Sequence, residues 1–349
     1  MTAVFDGHND FLQRMVAAGP DAAKLWLEGD GTGHLDLPRM KAGNMIGGFF
    51  AIWAPEPHGV NDDEMMRIMS NPPFALPLPA PQPHDRALIA AFQQAAQLLV
   101  MQRTGTLDVV GSAAEIRAAA DAGRIAAVMH MEGAEAIADP DALHLWHAAG
   151  LRSLGPVWSR PTIYGNGVPF AFPSSPDTGD GLTPTGRDLV RECDALRIML
   201  DLSHLNEKGF DDIARLSAMP LVASHGCAHA ISPSSRNLTD RQLGVIRDSG
   251  GLVGLNFAVS FLRDDGKRIP FDDFEPMLRH LDHLLGLLGE DGVALGSDYD
   301  GALVPHSLDG ADRLPDLIAA MRAHGYGETL IAKIAAENWI NVLGRIWGG

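Results

Sequence analysis

Cysteine is nearly absent, with only Cys193 and Cys227 in a chain of 349 residues. Two thiols can build neither a disulfide framework nor a cysteine-based zinc site, so a small stapled fold and a zinc ribbon are both excluded. Positive charge is short as well: 27 Lys and Arg stand against 44 Asp and Glu, for a net charge of −17. A field of that sign repels phosphate backbones and anionic lipid, and no basic cluster overcomes it. Nucleic acid and membrane surfaces are therefore not expected as partners. No apolar run approaches the roughly 18 residues of a membrane span. The opening Met1-Thr2-Ala3-Val4-Phe5-Asp6 lacks the basic start and apolar stretch of a signal peptide, so a cytoplasmic location is expected.

What the chain does have is apolar material: 46% hydrophobic against 20% charged residues, enough for a sizeable core. Eight short runs rich in Val, Ile, Leu and Phe read as strands: Ala3 to Asp10, Met45 to Trp53, Ile125 to Gly133, Leu151 to Trp158, Ile198 to His204, Leu221 to His225, Leu252 to Phe257 and Val293 to Asp298. Helical periodicity fills most of the gaps, as in Leu88 to Gln102, Arg187 to Leu196, Glu207 to Leu216 and Phe274 to Leu288. Thr239 with Gln242 reads as a capping box, and Thr183-Pro184 as a helix start. Eight alternating units, with no glycine-rich dinucleotide fingerprint after the first strand, predict an α/β fold. The expected form is a (β/α)8 TIM barrel of the metal-dependent hydrolase type, as one domain over residues 1–349. Two stretches interrupt the rhythm. Residues 54–85 carry Pro55, Pro57, Pro72, Pro73, Pro77, Pro79, Pro81 and Pro83, which predicts no regular helix or central strand there. Residues 158–182 mix Gly and Pro with Trp158, Tyr164, Phe170 and Phe172, and Tyr164 and Phe172 are expected to wall a pocket. Both loops leave C-terminal strand ends, where barrel enzymes place their chemistry.

At those strand ends stand His8, Asp10, Glu132, His204, His225 and Asp298, a set that packing does not explain. A lone strand histidine is more often a bonded core residue than a ligand, but three histidines and three acids at the ends of five strands reverse those odds. In His8-Asn9-Asp10 the outer two side chains share one face of an extended strand. Imidazole plus carboxylate suits zinc, and Glu132 could bridge to a second ion held by His204 and His225. A pair of zinc ions roughly 3.5–4 Å apart makes hydrolysis the natural reaction. Asp298, in Gly296-Ser297-Asp298-Tyr299-Asp300-Gly301, is placed to shuttle a proton, whereas Asp300 reads as a turn former. Arg236 offers a planar fork for a substrate carboxylate. Asp201 reads as structural, bonding nearby backbone, and His130 as a core or supporting residue.

With those residues assembled, the chain resembles the membrane dipeptidase (renal dipeptidase) family of zinc peptidases. The matching stretches, in family order, are Asp6-Gly7-His8-Asn9-Asp10, Met131-Glu132-Gly133, Asp201-Leu202-Ser203-His204, Ser224-His225, Ser235-Arg236-Asn237 and Gly296-Ser297-Asp298-Tyr299-Asp300-Gly301. The resemblance implies a binuclear zinc barrel with His8 and Asp10 on one ion, His204 and His225 on the other, and Glu132 bridging as a ligand and catalytic group. It implies Arg236 as holder of the substrate carboxylate and Asp298 as both substrate-binding and catalytic. It also implies dipeptide substrates, tolerance of a D-residue at the C-terminal position, and a homodimer of the soluble bacterial type. One departure stands out. Where the renal enzyme follows its fourth strand with a substrate-contacting Thr-His pair, this chain reads Val157-Trp158-Ser159-Arg160, so that either Arg160 or His229 takes the place of the histidine or the substrate differs. The competing readings are a metal-dependent amidohydrolase acting on N-acyl amino acids or related amides, and a metal-stabilised scaffold without turnover. Asp298 argues against the scaffold, because an acid beside the metals and outside the ligand set has little structural purpose.

Overall fold

A computed structural model describes residues 1–55 and 62–348 of the protein. Among the described residues, eight parallel strands alternate with helices, β1 (Val4–Asn9), β2 (Met45–Trp53), β3 (Ile125–Glu132), β4 (Leu151–Gly155), β5 (Met199–Leu200), β6 (Val222–Gly226), β7 (Leu252–Leu255) and β8 (Val293–Leu295), and a further short strand, Leu107–Val109, pairs parallel with β3 beside that series. Strands β1 to β5 hydrogen-bond in chain order as a parallel half-barrel, and β6, β7 and β8 form a second sheet. Two single bridges join the sheets, Asp201 with Val222 and Asn9 with Tyr299. The Asp298 N–H donates to the His8 carbonyl at 3.0 Å beside the second bridge. β5 is shorter than its apolar run because only its first two residues pair with β4.

Strand periodicity sorts the side chains into two packed layers. Along β3, Ala126 and Val128 face one cluster while Ala127, Met129 and Met131 face the other. The smaller cluster gathers Phe5, Phe49, Val128, Met199, Val222, Leu252 and Ala294 from seven strands, closed off by Trp339 and Leu343 of the helix Asn338–Trp347. The indole of Trp339 donates to the Leu295 carbonyl at 2.8 Å, which ties that helix to β8. The same alternation carries the face of Ala126 and Val128 onward to His130 and Glu132, so the strand that fills the core also delivers an acid at its end.

The capping signals hold: Thr239 and Gln242 form the reciprocal box, and Thr183 caps a helix whose first residue is Pro184. The proline-rich stretch departs from expectation. Helix Asp62–Met69 forms inside it, followed by the two-residue strand Phe74–Ala75. Residues 62–71 contain no proline, so the prolines bound the helix instead of forbidding it. Pro57 lies outside the described residues. Phe74–Ala75 pairs antiparallel with Ala171–Phe172, which laces the two long loops together. Both cysteines are buried and unpaired, and no helix among the described residues is long and apolar enough to cross a membrane.

Candidate metal centre

The C-terminal strand ends bring five predicted side chains together. Their ligand atoms fall into two groups, His8, Asp10 and Glu132, and Glu132, His204 and His225, each within 4.8 Å, and a third group of the same span joins His8 and His225 to Asp201. Glu132 is common to both, its Oε1 lying 3.0 Å from His204 Nε2, 3.4 Å from His225 Nε2 and 3.7 Å from His8 Nε2. His8 Nε2 stands 3.3 Å from Asp10 Oδ2. His204 and His225 point their Nε2 atoms at each other, 3.2 Å apart.

The surrounding hydrogen bonds decide which imidazole nitrogens carry lone pairs. Ser224 Oγ lies 2.5 Å from Asp201 Oδ2, an obligate acceptor, so the hydroxyl proton goes to the carboxylate. Its oxygen then accepts from His225 Nδ1, 2.7 Å away, leaving Nε2 of His225 as a lone pair aimed at Glu132. Ser159 Oγ lies 2.8 Å from His204 Nδ1, so a side-chain oxygen backs that ring too. His225, held through Nδ1 and bare at Nε2, has the arrangement of a metal-ligating histidine. Both ring nitrogens of His8 are buried without a hydrogen-bond partner, and a cation at Nε2 would satisfy that one of the two. The donor set of imidazole and carboxylate therefore fits zinc or a similar divalent ion.

Electrostatics point the same way. Burial, then the charges of Arg236 and His8, drive the His204 imidazole well below its ordinary range, and burial with His8 and Arg236 does the same at His225, so both are neutral. Burial opposes a charge on His8, but Glu132 and Asp10 outweigh it and hold that imidazole up to about 10. Burial pushes the Glu132 carboxyl well above the usual range, with Asp10 and Asp298 adding repulsion. A sealed cluster of acids that draws positive charge to His8 is a site built for cations.

Asp298 sits at the rim of the same cavity with a left-handed backbone, φ 62°. Its Oδ2 accepts from Asn256 Nδ2 at 2.9 Å, while Asn256 Oδ1 accepts the Ala258 N–H at 2.6 Å, which fixes the amide's orientation. His204 is also left-handed, φ 65°, so two site residues occupy strained backbone. A Cβ on Gly301 would collide with the carboxylates of Asp10 and Asp298, so only glycine leaves that space open. Arg236 is 5% exposed, donates from Nη2 to the His225 carbonyl at 3.1 Å, and lies over the Phe261 ring at 5.9 Å. Asp300 is tied to Arg14 at 3.4 Å and takes the His34 N–H at 2.7 Å, which makes it a turn anchor. Asp201 accepts the N–H groups of Ser203 and Ser224, and His130 packs edge-on against His8 with Nδ1 on Ser153.

The cavity holds about 360 Å³ and is lined by Asp10, Glu132, His204 and Asp298 with Trp53, Trp158, Phe170, Phe261, Met65, Met69, Gln13 and Arg268. The aromatic loop does reach it, but through Trp158 and Phe170. Tyr164 is buried with its hydroxyl on the Ile137 carbonyl, and Phe172 packs against Phe74 and under Gly266. Neither stand-in for the family histidine lines it. Arg160 is buried behind Trp53 and Trp158, bonded to Glu135 and the Ala54 carbonyl, and His229 contacts the Ser174 carbonyl. Trp158 itself stands beside the His204 ring, centroids 5.8 Å apart. Asn256, Ser159 and Ser224 escaped the sequence reading. Asn256 directly follows β7, so the strand-end rule that found the other residues would have found it too.

Comparison with known proteins matches residues 1–347 to the family model for membrane dipeptidase, peptidase family M19. A metallopeptidase from Rhodobacter sphaeroides, solved with a phosphinate mimic of the dipeptide L-Ala-D-Ala, is 57% identical with a TM-score of 0.97, over 99% of both chains. The M19 metallopeptidase dipeptidase AC is also 57% identical with a TM-score of 0.97, over 100% of this chain and 99% of its own. Dipeptidase tcpJ of Claviceps purpurea is 26% identical, over 99% of this chain and 77% of its own length.

Proposed function

Because the chain belongs to the membrane dipeptidase family, peptidase family M19, and is a metallo-dipeptidase by that membership, we propose that it hydrolyses dipeptides at a binuclear zinc centre. His8 and Asp10 would hold one ion and His204 and His225 the other, with Glu132 shared. The observation that carries this is Glu132 standing in both ligand groups at once. Metal held by these residues would supply Lewis-acid polarisation of the amide carbonyl and acidify the attacking water.

The chain's own residues supply the rest. Arg236, buried beside Phe261 and backed by the His225 carbonyl, holds the substrate's terminal carboxylate. Asp298, with Oδ2 occupied by Asn256, takes and returns the proton at Oδ1, delivering it to the departing amine. Trp53, Trp158 and Phe170 cover the cavity and exclude water from the scissile bond. The two sheets are read as one closed (β/α)8 barrel forming a single domain, supported by the bridges at Asp201 and Asn9. A cytoplasmic homodimer completes the proposal, its reducing location supported by the two unpaired cysteines.

The L-Ala-D-Ala mimic bound by the Rhodobacter sphaeroides protein supports acceptance of a D-residue at the C-terminal position. The test is amine release from matched L,L and L,D dipeptides by zinc-loaded protein, with a chelated control. Zinc-dependent cleavage of both series is expected. Silence on dipeptides with cleavage of N-acyl amino acids would replace this reading by the amidohydrolase one.

A further inference from the structure

The structure assigns the outer face of helix His84–Arg103 as the surface on which two copies of this chain pair, an inference that rests on the homodimer proposed above. The helix is 20 residues long and turns Ala87, Ala91, Gln94, Leu98 and Met101 into the core. Its opposite face carries Asp85, Ile89, Phe92, Ala96, Leu99 and Arg103, all six exposed. Ile89 is 60% exposed, Phe92 54% and Leu99 49%, so three large apolar side chains stand together in water. From Asp85 to Arg103 the steps run four, three, four, three and four residues, which is the spacing of a coiled-coil seam.

The face is formed before any partner arrives. On the inner side of the helix, Gln94 Oε1 accepts the Trp53 N–H at 3.0 Å, and Gln94 Nε2 donates to the Trp53 carbonyl at 2.6 Å. These two bonds tie the helix to the end of β2. On the outer side the Phe92 ring stacks on Trp146, with centroids 5.4 Å apart and planes 22° from parallel. A surface already held in place loses little freedom on pairing.

Charge decides the occupant and its direction. The chain carries 44 acids and a net charge of −17, so most ways of bringing two copies together set acids against acids. Helix His84–Arg103 has a single acid, Asp85, against Arg86 and Arg103. Asp85 and Arg103 close the two ends of the apolar stripe, and neither has an ion-pair partner among the described residues. A parallel pairing would set Asp85 against Asp85 and Arg103 against Arg103. An antiparallel pairing about a two-fold axis instead sets Asp85 against the partner's Arg103 at both ends. In that same register Ile89 meets Leu99 and Phe92 meets Ala96, a large ring over a small side chain on each side of the axis. The stripe is thus complementary to itself in one direction only, over a seam of about 27 Å.

The experiment measures the dimer dissociation constant by sedimentation velocity over a dilution series. It compares wild type with Phe92→Glu, Asp85→Arg, Arg103→Asp and the double variant Asp85→Arg with Arg103→Asp, each checked for folding by circular dichroism. Phe92→Glu buries a carboxylate in the seam twice and should leave a monomer. Each single charge reversal sets like charges together at both ends and should weaken the dimer about tenfold. The double variant restores opposite charges in exchanged positions and should recover most of that loss. A wild-type monomer overturns both the homodimer and this surface. A wild-type dimer that survives Phe92→Glu, that ignores the single reversals, or that is not rescued in the double variant overturns the surface and leaves the homodimer standing.

Discussion

Replacing Ser224 by alanine should weaken one metal site and spare the other. The hydroxyl accepts from His225 Nδ1 at 2.7 Å and donates to Asp201 Oδ2 at 2.5 Å, so it holds the tautomer that leaves Nε2 bare. Without it, nothing keeps the proton on Nδ1, and the tautomer protonated at Nε2 competes with ligation. Loss of such a supporting partner costs roughly 10- to 100-fold in metal affinity, or about 1.4–2.7 kcal/mol. Asp201 keeps two backbone donors on Oδ1, so the fold loses only about 1–2 kcal/mol. His8 and Asp10 make no bond to Ser224, and their affinity should be unchanged. The assay is competition between protein and a chromophoric chelator, fitted for each equivalent of zinc, with circular dichroism to confirm folding. Two affinities both equal to the wild type would refute the argument, as would an equal loss at both.

Asp298→Asn keeps the shape and the bond to Asn256 but removes the proton carrier, so kcat should fall by about 10²- to 10⁴-fold with zinc content unchanged. Intact kcat would remove Asp298 from the mechanism. His280, remote from the ligands, accepts the Ala228 N–H at Nδ1 and donates from Nε2 to the Leu262 carbonyl. Burial lowers it to about 4 from 6.5. The unfolded chain therefore takes up a proton that the folded one refuses, so this contribution is complete above about pH 6.5 and lost as pH falls toward 4. It amounts to about 3 kcal/mol. Urea unfolding of metal-free His280→Gln should show a correspondingly shallower acid limb than metal-free wild type, and identical limbs would contradict it.

The strand ends were legible because two rules coincide there: period-two alternation sets the inward face, and barrels place polar chemistry where that face meets solvent. His8, Glu132 and His225 each end an apolar run, which made them visible one by one. Ser159 and Ser224 were not visible, since a serine that fixes an imidazole has the same sequence signal as any other serine. Helix Asp62–Met69 was hidden by counting prolines over a stretch instead of noting the gap between them. Arg268 and Met65 share a cavity wall although about 200 residues separate them, and no periodicity reports a contact of that range. The aromatic loop walls the cavity through Trp158 and Phe170 instead of Tyr164 and Phe172, because composition does not say which ring turns inward.

The central claim is a shared carboxylate between two ions, and its most direct test is a zinc titration of metal-free protein followed by dipeptide hydrolysis. The account predicts activity that reaches its maximum at two equivalents per chain in the wild type, and loss of tight binding at both positions in Glu132→Gln. Full activity at one equivalent, or a Glu132→Gln protein that still binds two ions tightly, would contradict it.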